Sequence, residues 1–157
     1  MTRLFTLVVT IVILAGCIII NDVEINDDLD LPEVTPIQTV AQYVEDFNNA
    51  DLDALNEGSE SPFFWLMGDE KNVYDKYGDS VDFVRLRSKG WSYSKINSLE
   101  LVYEDDKTAM VYMNFSRYNA NDEVILTSEV NYLLVNNAYK WKIKGGFATN
   151  KVTVGKD

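Results

Sequence analysis

Few kinds of side chain in this protein could do chemistry. The chain has one cysteine, Cys17, and no histidine among its 157 residues. Ser-His-Asp catalysis and the usual zinc sites are therefore excluded, and so is the commonest general base near neutral pH. Carboxylates, tyrosines, lysines and hydroxyl groups remain, and nothing in their spacing indicates a metal site or a cofactor.

A carboxylate pair and two large aromatic residues each allow two interpretations. Asp51 and Asp53 could form a paired-carboxylate site, but they begin a predicted helix, where aspartates cap free N–H groups. Tyr43 and Trp65 could line a pocket or pack in a core. We therefore predict no catalytic residue and keep the two aromatic residues as candidates for a binding pocket.

Helical patterns come first along the folded part of the chain. TPIQ, at residues 35–38, combines a capping hydroxyl, a proline and a glutamine, which is the signature of a helix start. An apolar stripe at spacings of three and four predicts that this helix continues to about Asn49. Asp51 begins a second, short helix that ends at Gly58, and residues 79–90 are predicted to form a third.

After Trp91 the apolar pattern changes from helical to alternating. Four stretches separated by turn-rich segments predict an antiparallel meander: residues 95–103, 108–118, 123–134 and 139–147. The earlier stretch SPFFWLMG is interpreted as a compact aromatic segment. Helices followed by a curved four-stranded sheet indicate one α+β domain, which we assign to residues 35–157.

The alternation also assigns side chains to the two faces of the sheet. On the first strand, Leu99, Leu101 and Tyr103 are predicted to face the helices. The other face would be more apolar than a solvated sheet face should be, with Ile96, Val102, Met110, Tyr112, Ile125 and Leu133. We predict that two copies pair through this face, the alternative being a monomer in which lysine stems cover it.

Two stretches of the domain resemble the nuclear transport factor 2-like superfamily. QYVEDFNNADLDAL is similar to the end of its first helix and the start of its second, and YKWKI is similar to its closing strand. The resemblance implies a cone of three helices wrapped on a bent sheet around an apolar pocket. From the inward faces of the predicted elements, we expect five residues to line it: Tyr43, Phe47, Trp65, Met113 and Tyr132.

Ketosteroid isomerase, a member of that superfamily, supplies an enzymatic alternative. Tyr43 occupies the position where the enzyme has its oxyanion tyrosine. The resemblance fails elsewhere, because the stretch FFWLMG, where the base would fall, contains no carboxylate, and Glu129 is predicted to point away from the pocket. An isomerase or cyclase of this type is therefore the alternative function.

The first 16 residues resemble a bacterial export signal. LAGC, at residues 14–17, is similar to the lipobox of bacterial lipoproteins, which implies cleavage before Cys17 and attachment of lipid to it. Ile18, which stands where an aspartate would retain the protein at the inner membrane, implies the outer membrane if the host is diderm. The alternative is an uncleaved anchor, because the apolar run from Leu4 to Ile20 reaches the lower length limit of a spanning helix.

Charge and location complete the prediction. Residues 17–34 form an acidic stretch without a basic residue, which is typical of a tether. The net charge of −11 repels phosphates, so nucleic acid is not expected as a partner. The sequence predicts a lipid-anchored domain of the cell envelope that faces outside the cytoplasm. Its predicted role is to bind a small apolar or aromatic molecule or to take part in an envelope assembly.

Overall fold

Helices precede a large sheet in the order that the sequence predicts. The structure is a computed structural model, and it describes residues 34–137 and 140–148. Its elements are α1 (Pro36–Asn49), α2 (Leu52–Glu57), β1 (Ser59–Met67), β2 (Glu70–Tyr74), a 3-10 helix (Tyr77–Ser80), α3 (Phe83–Ser88), β3 (Tyr93–Glu104), β4 (Thr108–Tyr118), β5 (Val124–Asn137) and β6 (Lys140–Ala148). The predicted α+β class is confirmed.

The described strands form one six-stranded sheet in the order β2-β1-β6-β5-β4-β3. Strands β3 to β6 make the predicted antiparallel meander, but β1 and β2 extend it, so the prediction of a four-stranded sheet is wrong. Strand β1 is the segment SESPFFWLM and pairs in parallel with β6. Large apolar side chains occupy both faces of β1, so the alternation that marks a half-buried strand is hidden in the sequence.

Helix α1 begins and ends where its sequence predicts. The Thr35 hydroxyl accepts a hydrogen bond from the backbone N–H of Gln38 at 3.2 Å, and the Gln38 side chain accepts one from the backbone N–H of Thr35 at 2.9 Å. Pro36 fills the first turn, and Ala50 ends the helix in the left-handed conformation, with φ 54°. The apolar stripe places Tyr43 and Phe47 on the buried side of the helix.

The other two helices are short. The Asp51 side chain accepts from the backbone N–H of Ala54 at 3.0 Å, so it caps α2 as predicted. In place of one continuous helix over residues 79–90, the structure has the end of a 3-10 helix and then α3, which Asp82 caps. The extended conformation of Val81 separates the two, which is consistent with the low helix propensity of a β-branched residue.

Asn48 connects the end of α1 to the sheet. Its side-chain amide donates to the carbonyl oxygen of Ser94 at 2.9 Å and accepts from the N–H of Ser94 at 2.7 Å. Nearby, the ring of Phe47 packs against Phe83 and Trp91, with ring centroids 4.9 and 5.3 Å away. These contacts fix the inward face of α1 above the strands of the sheet.

Strand β3 departs from the predicted alternation. The pairing with β4 shifts register between Ile96 and Ser98 and again between Leu101 and Tyr103. The second bulge pairs Tyr103 with Met110 of the outer face, and Tyr103 is 53% exposed instead of facing the helices. Leu101 is paired with the inward Val111, but on this edge strand it is still 40% exposed. The prediction that Ile96 lies on the outer face is also wrong, since this residue packs against the core.

The outer face of the sheet keeps part of its predicted apolar character. Val102 and Ile125 are exposed, and three further residues are half-buried, namely Met110, Tyr112 and Leu133. Pairing of two copies through this face stays a prediction. None of the helices in residues 34–137 and 140–148 combines the length and the hydropathy of a membrane span.

Candidate functional site

A cavity lies between the inward face of α1 and the sheet. Its walls come from α1, β1, β3, β4 and β5, and they are lined by Tyr43, Val44, Phe47, Trp65, Ser94, Met113, Phe115, Arg117, Val130 and Tyr132. The empty space between the walls, including the mouth, is about 350 Å³, of which about 20 Å³ is open to the centres of water molecules. The cavity therefore has room for about one water molecule.

The structure brings the five predicted pocket residues together. Tyr43 and Phe47 come from α1, Trp65 from β1, Met113 from β4 and Tyr132 from β5, and all five line this cavity. Each is buried, with at most 8% of its surface exposed. Their role in holding a ligand stays a prediction.

Three tyrosines form a polar cluster beside the cavity. The hydroxyl oxygens of Tyr43 and Tyr77 are 2.8 Å apart and share a hydrogen bond. The ring of Tyr43 lies 5.5 Å from that of Tyr77 and 5.3 Å from that of Tyr132, measured between centroids. Burial raises the pKa of all three hydroxyl groups above the ordinary value, so they keep their protons and can donate hydrogen bonds at neutral pH.

Arg117 also lines the cavity, although its charge did not suggest a place in the pocket. Only 5% of its surface is exposed. Its guanidinium carbon lies 5.8 Å from the ring centroid of Phe47 and 5.7 Å from that of Phe115, which is within range of a cation–π contact. The signal was present in the sequence, because the inward alternation of β4 continues from Phe115 to position 117.

Two consecutive glycines in β6 allow the aromatic side chains of β1 to lie across that strand. Gly145 is paired with Phe64, and Gly146 is paired with Trp65. A Cβ atom at Gly146 would approach Cζ3 of Trp65 to 2.5 Å, far closer than two carbon atoms can pack. On the other side, Gly146 is paired with Tyr132 of β5, so it lies between two residues of the cavity wall.

The ionisable groups at this cavity do not suit proton abstraction. Among the described residues that line it, they are tyrosines and Arg117, and none is a carboxylate. Glu129 is exposed and pairs across the sheet with Asn114. Asp51 and Asp53 are exposed at the start of α2, away from the cavity lining.

Potential metal ligands are scattered over the part of the chain that the structure describes. Within it, no three His, Cys, Asp or Glu side chains are grouped so that they could hold a metal ion. The predicted lipidation site, Cys17, lies outside the described residues. So do the predicted signal peptide of residues 1–16 and nearly all of the predicted tether of residues 17–34.

Comparison with known families identifies the fold. A family model described as "NTF2-like protein (DUF6841)" matches residues 37–151. The chain belongs to this family. The match covers the helices and strands that surround the cavity, so the predicted superfamily resemblance is confirmed. No curated protein matches the chain.

Solved structures agree with the assignment to the NTF2-like family. An NTF-2 like protein of unknown function from Shewanella oneidensis matches with a TM-score of 0.56 and 15% identity, over 73% of this chain and 95% of its own. An NTF2-like protein with a cystatin-like fold from Novosphingobium aromaticivorans matches with a TM-score of 0.58 and 12% identity, over 96% of this chain and 91% of its own. A ketosteroid isomerase-like protein from Erwinia carotovora atroseptica matches with a TM-score of 0.50 and 19% identity, over 77% of this chain and 98% of its own. At these identities the likeness concerns the fold alone.

Proposed function

We propose that this NTF2-like protein binds a small molecule in its cavity while a lipid on Cys17 holds it at a membrane, facing outside the cytoplasm. The observation that supports binding is the composition of the cavity wall. It is mostly apolar and aromatic, with a few hydroxyl groups and one guanidinium, which is typical of small-molecule sites. The LAGC sequence supports the anchor.

The composition favours binding over the isomerase or cyclase alternative. Removing a proton from carbon needs a base that is deprotonated at neutral pH. Tyr43 and Tyr132 have pKa values raised by burial, and an arginine remains protonated. The described ionisable groups of the wall can therefore orient a ligand or stabilise negative charge, but they cannot accept its proton.

Native mass spectrometry of the full-length protein, purified in mild detergent, tests the proposal. We expect a bound small molecule from the cells to be retained, and Met113→Trp to abolish its retention by filling the cavity. Met110→Trp is the matched control, because Met110 lies on the opposite face of the same strand. Loss of the molecule from both variants, or from neither, would contradict the proposed site.

The same spectrum tests the alternative role in an envelope assembly. A dimer or larger species without a retained molecule would favour assembly through the apolar outer face of the sheet. A monomer with a retained molecule would favour the binding function alone.

A further inference from the structure

Trp65 is held in one position in the cavity wall. Only 2% of its surface is exposed. The rings of Phe63 and Tyr132 pack against its indole, with centroids 5.3 and 6.0 Å away. Its six-membered ring lies over Gly146, where Cζ3, Cε3 and Cη2 are the atoms that a new side chain would meet. Because rings and backbone surround the indole on these sides, it cannot turn without displacing them.

This fixed indole carries a hydrogen-bond donor that lacks a partner among the described residues. Nε1 of Trp65 is buried and makes no hydrogen bond to any of them. The indole N–H group donates and does not accept, so only an acceptor can satisfy it. Leaving a buried donor without an acceptor is costly, and buried indole N–H groups usually have one. We therefore expect the missing acceptor in the cavity that Trp65 lines.

The chemistry of the donor and of the wall restricts the acceptor. Resting on the proposed binding function, we propose that the ligand is a small neutral molecule whose carbonyl or ether oxygen accepts a hydrogen bond from Nε1 of Trp65. An uncharged N–H group suits an uncharged acceptor, whose removal from water costs far less than that of an ion. A cation would have no counterion, because the described residues of the wall include no carboxylate.

The size of the cavity limits the rest of the ligand. The cavity has room for about one water molecule, and its empty space is about 350 Å³ when the mouth is included. A larger ligand must therefore extend toward the mouth or displace a side chain, and the thioether side chain of Met113 is adaptable. We expect a short chain or a single ring attached to the acceptor oxygen.

NMR titration of the full-length protein in detergent tests the hydrogen bond directly. Cyclohexanone is compared with methylenecyclohexane, which has nearly the same shape but carries a methylene group in place of the oxygen. We expect the indole N–H proton of Trp65 to move downfield with cyclohexanone and not with the hydrocarbon. The other two indole signals are internal controls, because Nε1 of Trp91 already donates to the Ser94 hydroxyl at 3.1 Å and Trp141 does not line the cavity.

The same titration gives affinities, since the methyl signal of Met113 reports binding in every variant. We expect cyclohexanone to bind about 10-fold more tightly than methylenecyclohexane, because the hydrocarbon leaves the buried N–H group without an acceptor. Trp65→Phe lacks this group and should remove the preference. Trp141→Phe is the matched control, because it changes a similarly buried tryptophan outside the cavity lining and should keep the preference. Detergent takes up both compounds equally for every variant, so a change in the ratio reports on the protein.

The outcomes separate the ligand class from the binding function. Equal affinities in the parent, or a preference that survives in Trp65→Phe, would overturn the inference and leave the binding function standing. A Trp65 signal that bound cyclohexanone does not move would also overturn it, with water alone as the acceptor. If neither compound binds, the molecule retained in the native mass spectrum decides. A neutral molecule with a carbonyl or ether oxygen supports the inference, any other molecule overturns it alone, and an empty cavity overturns both.

The variant with the changed wall has its own check. Should Trp65→Phe fail to fold by circular dichroism, the shift of the Trp65 signal and the ratio of affinities in the parent decide.

Discussion

Gly146 shows how the absence of one side chain shapes the cavity wall. It lies between Trp65 and Tyr132 in the sheet, on the face that the cavity occupies. The six-membered ring of Trp65 fills the space that a side chain at this position would take. The indole of Trp65 can therefore lie flat across β6 and present its surface to the cavity.

We predict that Gly146→Ala destabilises the protein and displaces Trp65. The new methyl group overlaps the indole, and overpacking of a buried site costs about 1–3 kcal/mol in the free energy of unfolding. Urea denaturation measures the loss, and the NMR signal of the Trp65 indole N–H, assigned with Trp65→Phe, should shift.

Gly145→Ala is the matched control for this prediction. Its new methyl group also meets an aromatic ring, that of Phe64, but this ring is only half-buried and can turn outward. We expect a smaller loss of stability and an unshifted Trp65 signal. A Trp65 signal that moves equally in both variants would show that Gly146 has no special role in the wall.

In the turn from β3 to β4, one side chain accepts several hydrogen bonds. The Asp105 carboxylate accepts hydrogen bonds from the Tyr103 hydroxyl, from the backbone N–H of Lys107 at 2.8 Å and from that of Thr108 at 2.7 Å. Led by the Tyr103 contact, these bonds lower the pKa of Asp105 to about 2. The deprotonated carboxylate therefore stabilises the turn.

We predict that Asp105→Ala lowers the urea midpoint at neutral pH and that the difference disappears in acid. The pKa of Asp105 is depressed in the folded protein. The stabilisation is therefore complete above the pKa that this carboxyl has in the unfolded chain, which is about 4, and it is lost as the pH falls through about 2. Urea titrations of parent and variant across this range measure it. Asp106→Ala, at the exposed neighbouring residue, should leave the midpoint unchanged; a constant difference between parent and Asp105→Ala down to pH 2 would contradict the assignment.

At the scale of the whole molecule, the proposed anchor on Cys17 would hold the protein at a membrane. Each methylene of an acyl chain that enters the bilayer contributes about 0.8 kcal/mol, so two or more chains on Cys17 would hold the protein firmly. The acidic residues between Cys17 and the folded domain would repel anionic headgroups. An anionic bilayer would therefore not attract this segment.

We predict that Cys17→Ser abolishes incorporation of radiolabelled palmitate and changes the membrane fractionation of the protein. The variant has no thiol that could accept the lipid, and its signal would remain uncleaved. Palmitate labelling and fractionation of cells that express each protein measure the change. Ile18→Ser serves as a control that keeps the cysteine, and identical labelling and fractionation of parent and Cys17→Ser would favour the spanning anchor.

Local patterns in the sequence were enough to predict much of the fold and the inward positions around the cavity. The capping box at Thr35 and the apolar stripe of α1 are each formed by residues that lie only a few positions apart in the sequence. The alternation of β4 likewise places Met113 inward without any information on the strands that pair with it. Regular alternation within β5 places Tyr132 on the same face. The expectation that these side chains meet in one pocket with Phe47 and Trp65 also needed the family resemblance, because no local pattern showed that the segment of Trp65 is a strand.

Tertiary structure alone decided the features that depend on distant partners. The parallel pairing of β1 with β6 joins segments about 80 residues apart, so neither the six-stranded sheet nor the role of Gly146 is visible from either segment. Two bulges in β3 reversed the expected directions of Ile96, which packs against the core, and of Tyr103, which is exposed. The burial of Arg117 was decided in the same way. Its charge favours solvent, whereas its position in the alternation of β4 favours the interior. In the fold, the rings of Phe47 and Phe115 lie within cation–π range of the guanidinium and favour the interior position.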